Sequence, residues 1–173
     1  YEGKVRDIYE IDNENMLIVS TDRVSVFDVI LPTPIPEKGI ILNNVSNYWF
    51  KKFSKLVDNH LTNLSIEDLE INDEEYDQIE GRSVVVKKLK PLPIESIVRN
   101  YLIGSGYSDY LASGSICNIA LPPNLKMASK LPELLFTPSS KAEIGSHDIN
   151  ISFEKMSEVI GRDISEKIKE ISF

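Results

Sequence analysis

The sequence is poor in the residue types that form covalent cross-links and zinc sites. Its 173 residues include one cysteine, Cys117, and two histidines, His60 and His147. One cysteine excludes an internal disulfide and a cysteine-rich zinc site. The two histidines lie too far apart in the sequence to form a zinc motif. Disulfide-stabilised scaffolds and zinc-binding modules are therefore excluded.

Positive charge is also scarce. The chain has 19 lysine and arginine residues against 27 aspartate and glutamate residues, which gives a net charge of −8. This balance argues against a protein that binds nucleic acid through a broad basic surface. It leaves room for small anionic ligands, because a local cluster such as Lys87, Lys88 and Lys90 can dominate the charge of its own pocket. We therefore expect small-molecule partners and no nucleic acid.

Long apolar runs are missing as well. No run approaches the length of a membrane span, and no signal peptide opens the chain. We therefore expect a soluble protein in the reducing cytoplasm, without a membrane partner. The sequence begins at Tyr1 rather than at a methionine and stops at Phe173, directly after an amphipathic segment. These ends predict that the 173 residues are part of a longer protein.

The first pattern that is present is a strand pattern. Gly3 is followed by two basic residues, Lys4 and Arg6, and then by a strand. Turn residues 12–15 separate it from the apolar run 16–20, which predicts a β-hairpin. One interpretation places the two basic residues over the phosphates of a nucleotide. The other is an ordinary strand with solvated basic residues, and the residues alone favour it.

Helical periodicity predicts a helix over residues 44–57. Asn43 or Asn44 is the expected N-cap, and Trp49 is expected to pack in the core. His60 follows this helix and is interpreted as a helix-end cation or a surface residue.

The remaining elements are predicted from caps and charge. Residues 62–81 are acidic and irregular, so we interpret them as a solvated connection without chemistry. Ser152 is expected to cap a helix that Gly161 ends, and Asp163 to cap a second helix over 164–171. Because strands come first and helices are interspersed late, the order predicts an α+β fold with an antiparallel sheet.

The stretch 82–112 carries the strongest chemical pattern. Residues 84–86 are three valines and suit a buried strand. The apolar segment 94–102 carries two charges, Glu95 and Arg99. These two side chains share one face whether the segment is a strand or a helix.

A Gly-Ser-Gly turn follows this segment, formed by Gly104, Ser105 and Gly106. Such a turn at a helix start presents backbone N–H groups to an anion, and the helix dipole adds attraction. Arg99 can complete a phosphate clamp there. The alternative is a structural ion pair between Glu95 and Arg99, with Ser105 as an ordinary helix N-cap. From these residues the two interpretations are equally supported.

Four stretches, in the same order along the chain, resemble the SAICAR synthetase (phosphoribosylaminoimidazole-succinocarboxamide synthase) family in its single-function form. They are YEGKVRDIYE at 1–10, STDRVSVFDVILPTPIPEKGIILNNVSNYWF at 20–50, PIESIVRNYLIGSG at 93–106 and FTPSSKAEIGSHDINIS at 136–152. The third is the most specific signature. Together the four stretches extend the resemblance over essentially the whole chain.

The resemblance implies an ATP-dependent ligase of de novo purine biosynthesis. In the family's reaction ATP, L-aspartate and carboxyaminoimidazole ribotide (CAIR) give the succinocarboxamide product SAICAR, ADP and phosphate. The resemblance also implies an α+β chain in two parts. Residues 1–90 are expected to form an N-terminal antiparallel β-sheet nucleotide-binding lobe, and residues 91–173 the start of a second, ATP-grasp-like α+β domain.

The resemblance further implies roles for individual residues. The implied catalytic residues are Lys4, Asp28 and Glu95. The implied ATP-binding residues are Gly3, Lys4, Arg6, Lys88, Leu89 and Pro91. The implied substrate-binding residues are Ser25, Asp28, Arg99, Ser105, Lys141, His147 and Asp148. For Arg99 and Ser105 the implied ligand is the 5′-phosphate of the ribotide.

The resemblance implies Mg²⁺ as a second cofactor beside ATP, bridging phosphate oxygens and carboxylates. Its protein ligands are unknown, because the family's second signature, of the type Asp-x-Lys-x-Glu-Phe-Gly, does not occur in the 173 residues. We therefore expect this chain to be the N-terminal part of the enzyme. The alternative, for a protein that ends at Phe173, is a non-catalytic nucleotide- or ribotide-binding fragment that forms a homo-oligomer.

Overall fold

The computed structural model describes residues 1–27, 29–141 and 148–173. They form two compact units, Tyr1–Lys90 and Pro91–Phe173. Every strand pair within the described ranges is antiparallel, which confirms the predicted α+β class. No helix in these ranges combines the length and the apolar character that crossing a bilayer requires.

The first unit is a three-stranded sheet with a helix against it. Its strands are β1 (Arg6–Glu10), β2 (Asn15–Ser20), β3 (Ser25–Val26), β4 (Val29–Ile30) and β5 (Ser83–Lys87). Its helices are α1 (Lys38–Phe53), a short 3-10 helix (Ile66–Asp68) and α2 (Asp73–Ile79). The sheet has the order β1-β2-β5, and β1 and β2 form the predicted hairpin.

The core of this unit lies on one face of the sheet, over the neighbouring strands β2 and β5. The register places Leu17 opposite Val85, and both side chains are buried together with Val19. Such cross-strand apolar pairs are the main stabilising contacts of a sheet.

The acidic stretch 62–81 was predicted as a solvated connection, and this is wrong in part. It contains the 3-10 helix and α2, and its Ile66, Leu69 and Ile79 pack against the core. Asn72 caps α2, since its side chain accepts the N–H of Glu75 at 2.9 Å. The charges lie on the outer face of elements whose few apolar residues point inward.

The predicted start of α1 is also wrong. The helix begins at Lys38, so Asn43 lies inside it; the buried side chain donates to the carbonyls of Gly81 and Ser83, both at 3.1 Å. The start is held by Asp22, whose Oδ1 accepts the N–H of Gly39 at 2.8 Å.

Two side-chain predictions near α1 are wrong. Trp49 does not pack in the core: it is 44% exposed and stacks on Phe53 with 5.4 Å between ring centroids. His60 is not a helix-end cation, because it is half-buried against Phe50, 4.6 Å between centroids. Burial lowers the pKa of His60, and the nearby positive charge of Arg6 lowers it further, so the ring is neutral at pH 7.

The second unit combines short strands with three helices. Its strands are β6 (Ile94–Glu95), β7 (Val98–Tyr101), β8 (Ser115–Ile116), β9 (Ile119–Ala120), β10 (Lys130–Phe136), β11 (Ser139–Ser140) and β12 (Ile149–Asn150). Its helices are α3 (Gly104–Ser113), α4 (Phe153–Ile160) and α5 (Arg162–Ser172). β7 pairs with β10, and β11 lies between β12 and β6. The core consists of Leu102, Tyr110, Ile116, Leu131 and Leu135.

The predicted caps in this unit are partly confirmed. Ser152 caps α4, since its Oγ accepts the N–H of Lys155 at 3.1 Å, and Gly161 ends that helix. Asp163 is not a cap, because α5 begins at Arg162 and Asp163 lies in its first turn. Ser105 is not a cap either, because α3 begins one residue before it.

Candidate functional site

Arg99 is the centre of a polar cluster in the second unit. It lies on β7 and its guanidinium reaches across to the start of α3. Nε donates to Thr137 Oγ1 at 3.0 Å, Nη2 to Ser105 Oγ at 3.1 Å and Nη1 to the carbonyl of Ile103 at 3.4 Å. The predicted proximity of Arg99 to the Gly-Ser-Gly turn is therefore present.

The sheet and a glycine hold this side chain in place. Pairing of β7 with β10 sets Val98 opposite Phe136, so that Thr137 follows at the end of β10. The N–H of Thr137, a fully buried residue, donates to the carbonyl of Ile97 at 2.8 Å. Gly106 also lies close to Arg99: a Cβ there would be 3.2 Å from Arg99 Nε. A larger residue would crowd the guanidinium.

The cluster continues from Ser105 through two further side chains. Ser105 Oγ donates to Asn150 Oδ1 at 3.4 Å, and Asn150 Nδ2 donates to Asp109 Oδ2 at 2.8 Å. A carboxylate only accepts, so Asp109 determines which end of the Asn150 amide faces Ser105. The hydrogen bonds thus run in one direction, from Arg99 to Asp109.

The chemistry of this cluster suits an anion. Arg99 is half-buried, and within the described ranges it binds only uncharged oxygens and forms no ion pair. The alternative Glu95–Arg99 ion pair is therefore absent there; Glu95 is exposed on β6 and lies beside Ser139. A guanidinium next to the N-terminus of α3 favours a phosphate or carboxylate ligand.

A second group of predicted residues lies in a tight loop of the first unit. The N–H of Gly3 donates to the carbonyl of Arg6 at 2.8 Å, and a Cβ on Gly3 would be 2.7 Å from that oxygen. Only glycine therefore fits this position. The side chains of Lys4 and Arg6 are on an exposed part of the loop.

Arg23 binds this loop and was not predicted as a functional residue. Its guanidinium forms a bidentate ion pair with Asp7, at 2.6 and 3.2 Å. It also donates to the carbonyls of Gly3 at 2.9 Å and Lys4 at 3.2 Å. Hydrogen bonding to Asp7 raises the pKa of Arg23, so its charge is permanent.

The other predicted ATP-binding residues lie at or beyond the end of β5. The N–H of Lys88 donates to the carbonyl of Glu14 at 2.6 Å, and its side chain forms an ion pair with Glu10. Leu89 and Pro91 are exposed, and Pro91 belongs to the second unit.

The other predicted substrate-binding residues are spread over both units. Ser25 is half-buried on β3 and pairs with Ile30. Lys141 is exposed, and its N–H donates to the carbonyl of Pro93 at 3.0 Å. Asp148 is exposed. Asp28 and His147 lie outside the described residues.

Sequence reasoning found Arg99 and Ser105 but missed their partners. Thr137, Asn150 and Asp109 lie 38, 45 and 41 residues from the atoms they bind. The stretch 136–152, quoted above for the resemblance, contains two of them, Thr137 and Asn150.

The described residues do not fit a metal site built from protein ligands alone. Over 1–27, 29–141 and 148–173, no three His, Cys, Asp or Glu side chains come close enough to hold an ion.

Comparison with known proteins identifies relatives along the whole chain. The family model described as SAICAR synthetase matches residues 1–173. A phosphoribosylaminoimidazole-succinocarboxamide synthase of Methylococcus capsulatus is 53% identical over 170 residues, 98% of this chain and 57% of the relative.

Solved structures show the same fold. A SAICAR synthase of Saccharomyces cerevisiae in complex with SAICAR is 40% identical, with a TM-score of 0.88 over 99% of this chain and 58% of that chain. A type-2 SAICAR synthetase in complex with ADP is 24% identical, with a TM-score of 0.72 over 99% of this chain and 63% of that chain; at this identity it shows the fold alone. The chain thus spans about three fifths of the length of its relatives.

Proposed function

The chain belongs to the SAICAR synthetase family, and from this premise we propose that its protein is an ATP-dependent carbon–nitrogen ligase. It joins L-aspartate to CAIR and releases SAICAR, ADP and phosphate. The relatives that carry this enzyme name extend beyond the 173 residues, so the activity is proposed for the protein that contains this chain.

The observation that carries the proposal is the Arg99 cluster. Its guanidinium contacts Ser105 in the first turn of α3, and a ribotide 5′-phosphate is the ligand proposed at this contact. The phosphate would take the place of neutral oxygens as acceptor for Arg99 and gain two charge-assisted hydrogen bonds. The relative solved with SAICAR, 40% identical to this chain, supports a ribotide as ligand of the family.

For ATP we propose the loop of Gly3, Lys4 and Arg6. A tight loop brings its backbone close to phosphates, and exposed basic side chains neutralise them. Lys88, Leu89 and Pro91 are proposed to line the adenine, mainly through backbone groups.

The proposed reaction has two steps. The CAIR carboxylate attacks the γ-phosphorus of ATP, which releases ADP and leaves an acyl phosphate. The aspartate amine then attacks the acyl carbon, loses a proton and expels phosphate. Such chemistry needs positioning and charge neutralisation more than a protein nucleophile.

The remaining role assignments belong to the same proposal. As catalytic residues, Lys4 is proposed to contact the ATP phosphates, Asp28 to act near the substrate, and Glu95 to act near the metal or the ribotide. Ser25, Lys141, His147 and Asp148 are proposed substrate contacts. Mg²⁺, when bound, would neutralise phosphate charge. A cytoplasmic location and a homo-oligomer stay predictions.

The test is a turnover assay on the protein expressed from its complete gene. Repeated turnover of ATP to ADP is expected only when ATP, L-aspartate and CAIR are all present, with SAICAR formed in equal amount. Repeated ATP turnover without aspartate would contradict the ligase and indicate an ATPase. Binding of ATP and CAIR without any product would contradict it and favour a binding protein.

A further inference from the structure

Arg23 holds the loop of Gly3 and Lys4 at several points at once. Nη2 donates to the Gly3 carbonyl at 2.9 Å and Nε to the Lys4 carbonyl at 3.2 Å. The same guanidinium is fixed in its plane by the bidentate carboxylate of Asp7. Two successive carbonyls are therefore drawn to one rigid group.

The geometry of the peptide bond determines where the N–H groups next to these carbonyls point. The described residues contain no cis peptide bond, and in a trans peptide the carbonyl and the following N–H point in opposite directions. Drawing the carbonyls of Gly3 and Lys4 toward Arg23 turns the N–H groups of Lys4 and Val5 away from it. Successive N–H groups on one side are how a backbone binds an anion.

The neighbouring contacts act in the same sense. The carbonyl of Val5 accepts from Thr21 twice, from its N–H at 3.1 Å and from its Oγ at 2.9 Å. Residues 21–23 thus bind the carbonyls of three consecutive residues of the loop. The turn itself is closed by the Gly3–Arg6 hydrogen bond.

We propose that Arg23 is the positioning residue of this loop: through the Gly3 and Lys4 carbonyls it presents the Lys4 and Val5 amides to the phosphates of ATP. The inference rests on the proposed function, which assigns ATP to the loop. Arg23 itself does not touch the nucleotide. Its effect is confined to ligands that have phosphates.

The experiment uses the intact protein and two nucleoside ligands, ATP and adenosine. Adenosine has the base and the ribose but no phosphate. Dissociation constants are measured by calorimetry for the wild type, Arg23→Gln and Arg23→Lys. The control is Arg162→Gln, which removes another arginine with a carboxylate partner, Glu166 on the exposed face of α5.

Arg23→Gln is expected to weaken ATP binding at least tenfold and to change adenosine binding less than twofold. The ATP affinity of Arg23→Lys should lie between those of Arg23→Gln and the wild type. Lysine keeps the charge but lacks the planar guanidinium that binds two carbonyls. The control should change the dissociation constant of neither ligand by more than twofold.

Two results would overturn the role of Arg23. One is unchanged ATP binding in Arg23→Gln. The other is an equal loss of affinity for ATP and for adenosine, which would indicate a general structural effect. If Arg23→Gln does not fold, Arg23→Lys and Asp7→Asn are judged by the same ratio of ATP to adenosine. If the wild type turns over its substrates but the Arg23 variants bind ATP normally, the ligase proposal stands and the role of Arg23 is wrong. If the wild type binds no ATP, both proposals are wrong.

Discussion

At the scale of single residues, position and hydrogen bonding decide what a charge can do. Arg99 and Arg23 are both held by several acceptors, but their partners differ. Arg23 is paired with the carboxylate of Asp7, whereas Arg99 binds only neutral oxygens in the described residues. A paired arginine is suited to a structural task, and an arginine with neutral partners is suited to an incoming anion.

Replacing Arg99 by alanine should therefore weaken the binding of CAIR far more than the binding of ATP. Loss of charge-assisted hydrogen bonds to a phosphate costs about 3 kcal/mol, on the order of a hundredfold in the KM for CAIR. Steady-state kinetics of the intact enzyme with each substrate varied gives the comparison. Lys155→Ala, which removes an exposed cation of the same unit, should leave both constants within about twofold. An equal rise in both KM values for Arg99→Ala would contradict a phosphate clamp.

Cys117 illustrates the opposite case of a reactive group made inert. Burial raises the pKa of its thiol to about 11, from the ordinary 9.0. The thiolate is the reactive form, so alkylation by iodoacetamide should be slow at pH 7 and should rise with pH toward about 11. The urea-unfolded chain is the control and should show its inflection near 9.0. An inflection near 9 in the folded protein would contradict burial of the thiol.

At the scale of elements, a contact from a distant loop fixes the start of α1. The turn before α1 carries Glu37 with φ of 64° and no side-chain cap. The N–H of Gly39, in the first turn of the helix, is satisfied by Asp22 from another part of the chain. Gly39 is required there, because a Cβ would be 2.2 Å from the carbonyl oxygen of Ser20.

Replacing Asp22 by alanine should destabilise the protein by about 1–2 kcal/mol, because the Gly39 N–H and the Arg82 guanidinium lose their acceptor. The free energy of unfolding is measured by urea denaturation. The control is Asp163→Ala, an aspartate in the first turn of α5 without such a contact, which should change stability by less than about 0.5 kcal/mol. Equal effects of the two substitutions would indicate that general helix electrostatics, and not this contact, is responsible.

At the scale of the whole molecule, two compact units each have their own core. Both units contain groups whose shifted pKa values make the stability of the fold depend on pH. Hydrogen bonds lower the pKa of Asp12, Asp22, Glu67 and Glu154, and burial lowers that of His60. All five groups bind protons more readily in the unfolded chain. Each therefore favours the folded state at higher pH.

Stability should consequently fall as the pH falls, in two stages. Between pH 6.5 and the lowered pKa of His60, the unfolded chain gains a proton that the folded one does not. Below about 4.5 for glutamate and 3.8 for aspartate, the carboxylates add a steeper loss as the pH passes through their lowered pKa values. Thermal unfolding of the wild type and His60→Gln between pH 3 and 8 checks both stages. The substitution should abolish the first stage only, and a stability maximum below pH 5 would contradict the scheme.

Local pattern was sufficient for much of the fold. The β1–β2 hairpin, the valine strand β5, the helix after the Gly-Ser-Gly turn and the Ser152 cap were each predicted from a few consecutive residues. In these cases neighbouring residues supply both the element and its ends. The errors arose where an end is decided elsewhere, as at Asn43, whose amide binds Gly81 and Ser83.

Local sequence was enough for the antiparallel α+β class, which follows from the order of the elements, and for the proximity of Arg99 to Ser105 six positions away. The family followed from four stretches in order along the chain. That Thr137 and Asn150 complete the Arg99 cluster and that Arg23 holds the Gly3 loop became visible only in the folded chain. Hydrogen bonds between residues 20 to 45 positions apart are set by strand register and chain reversal. Neither leaves a periodic mark in the residues that form the bond.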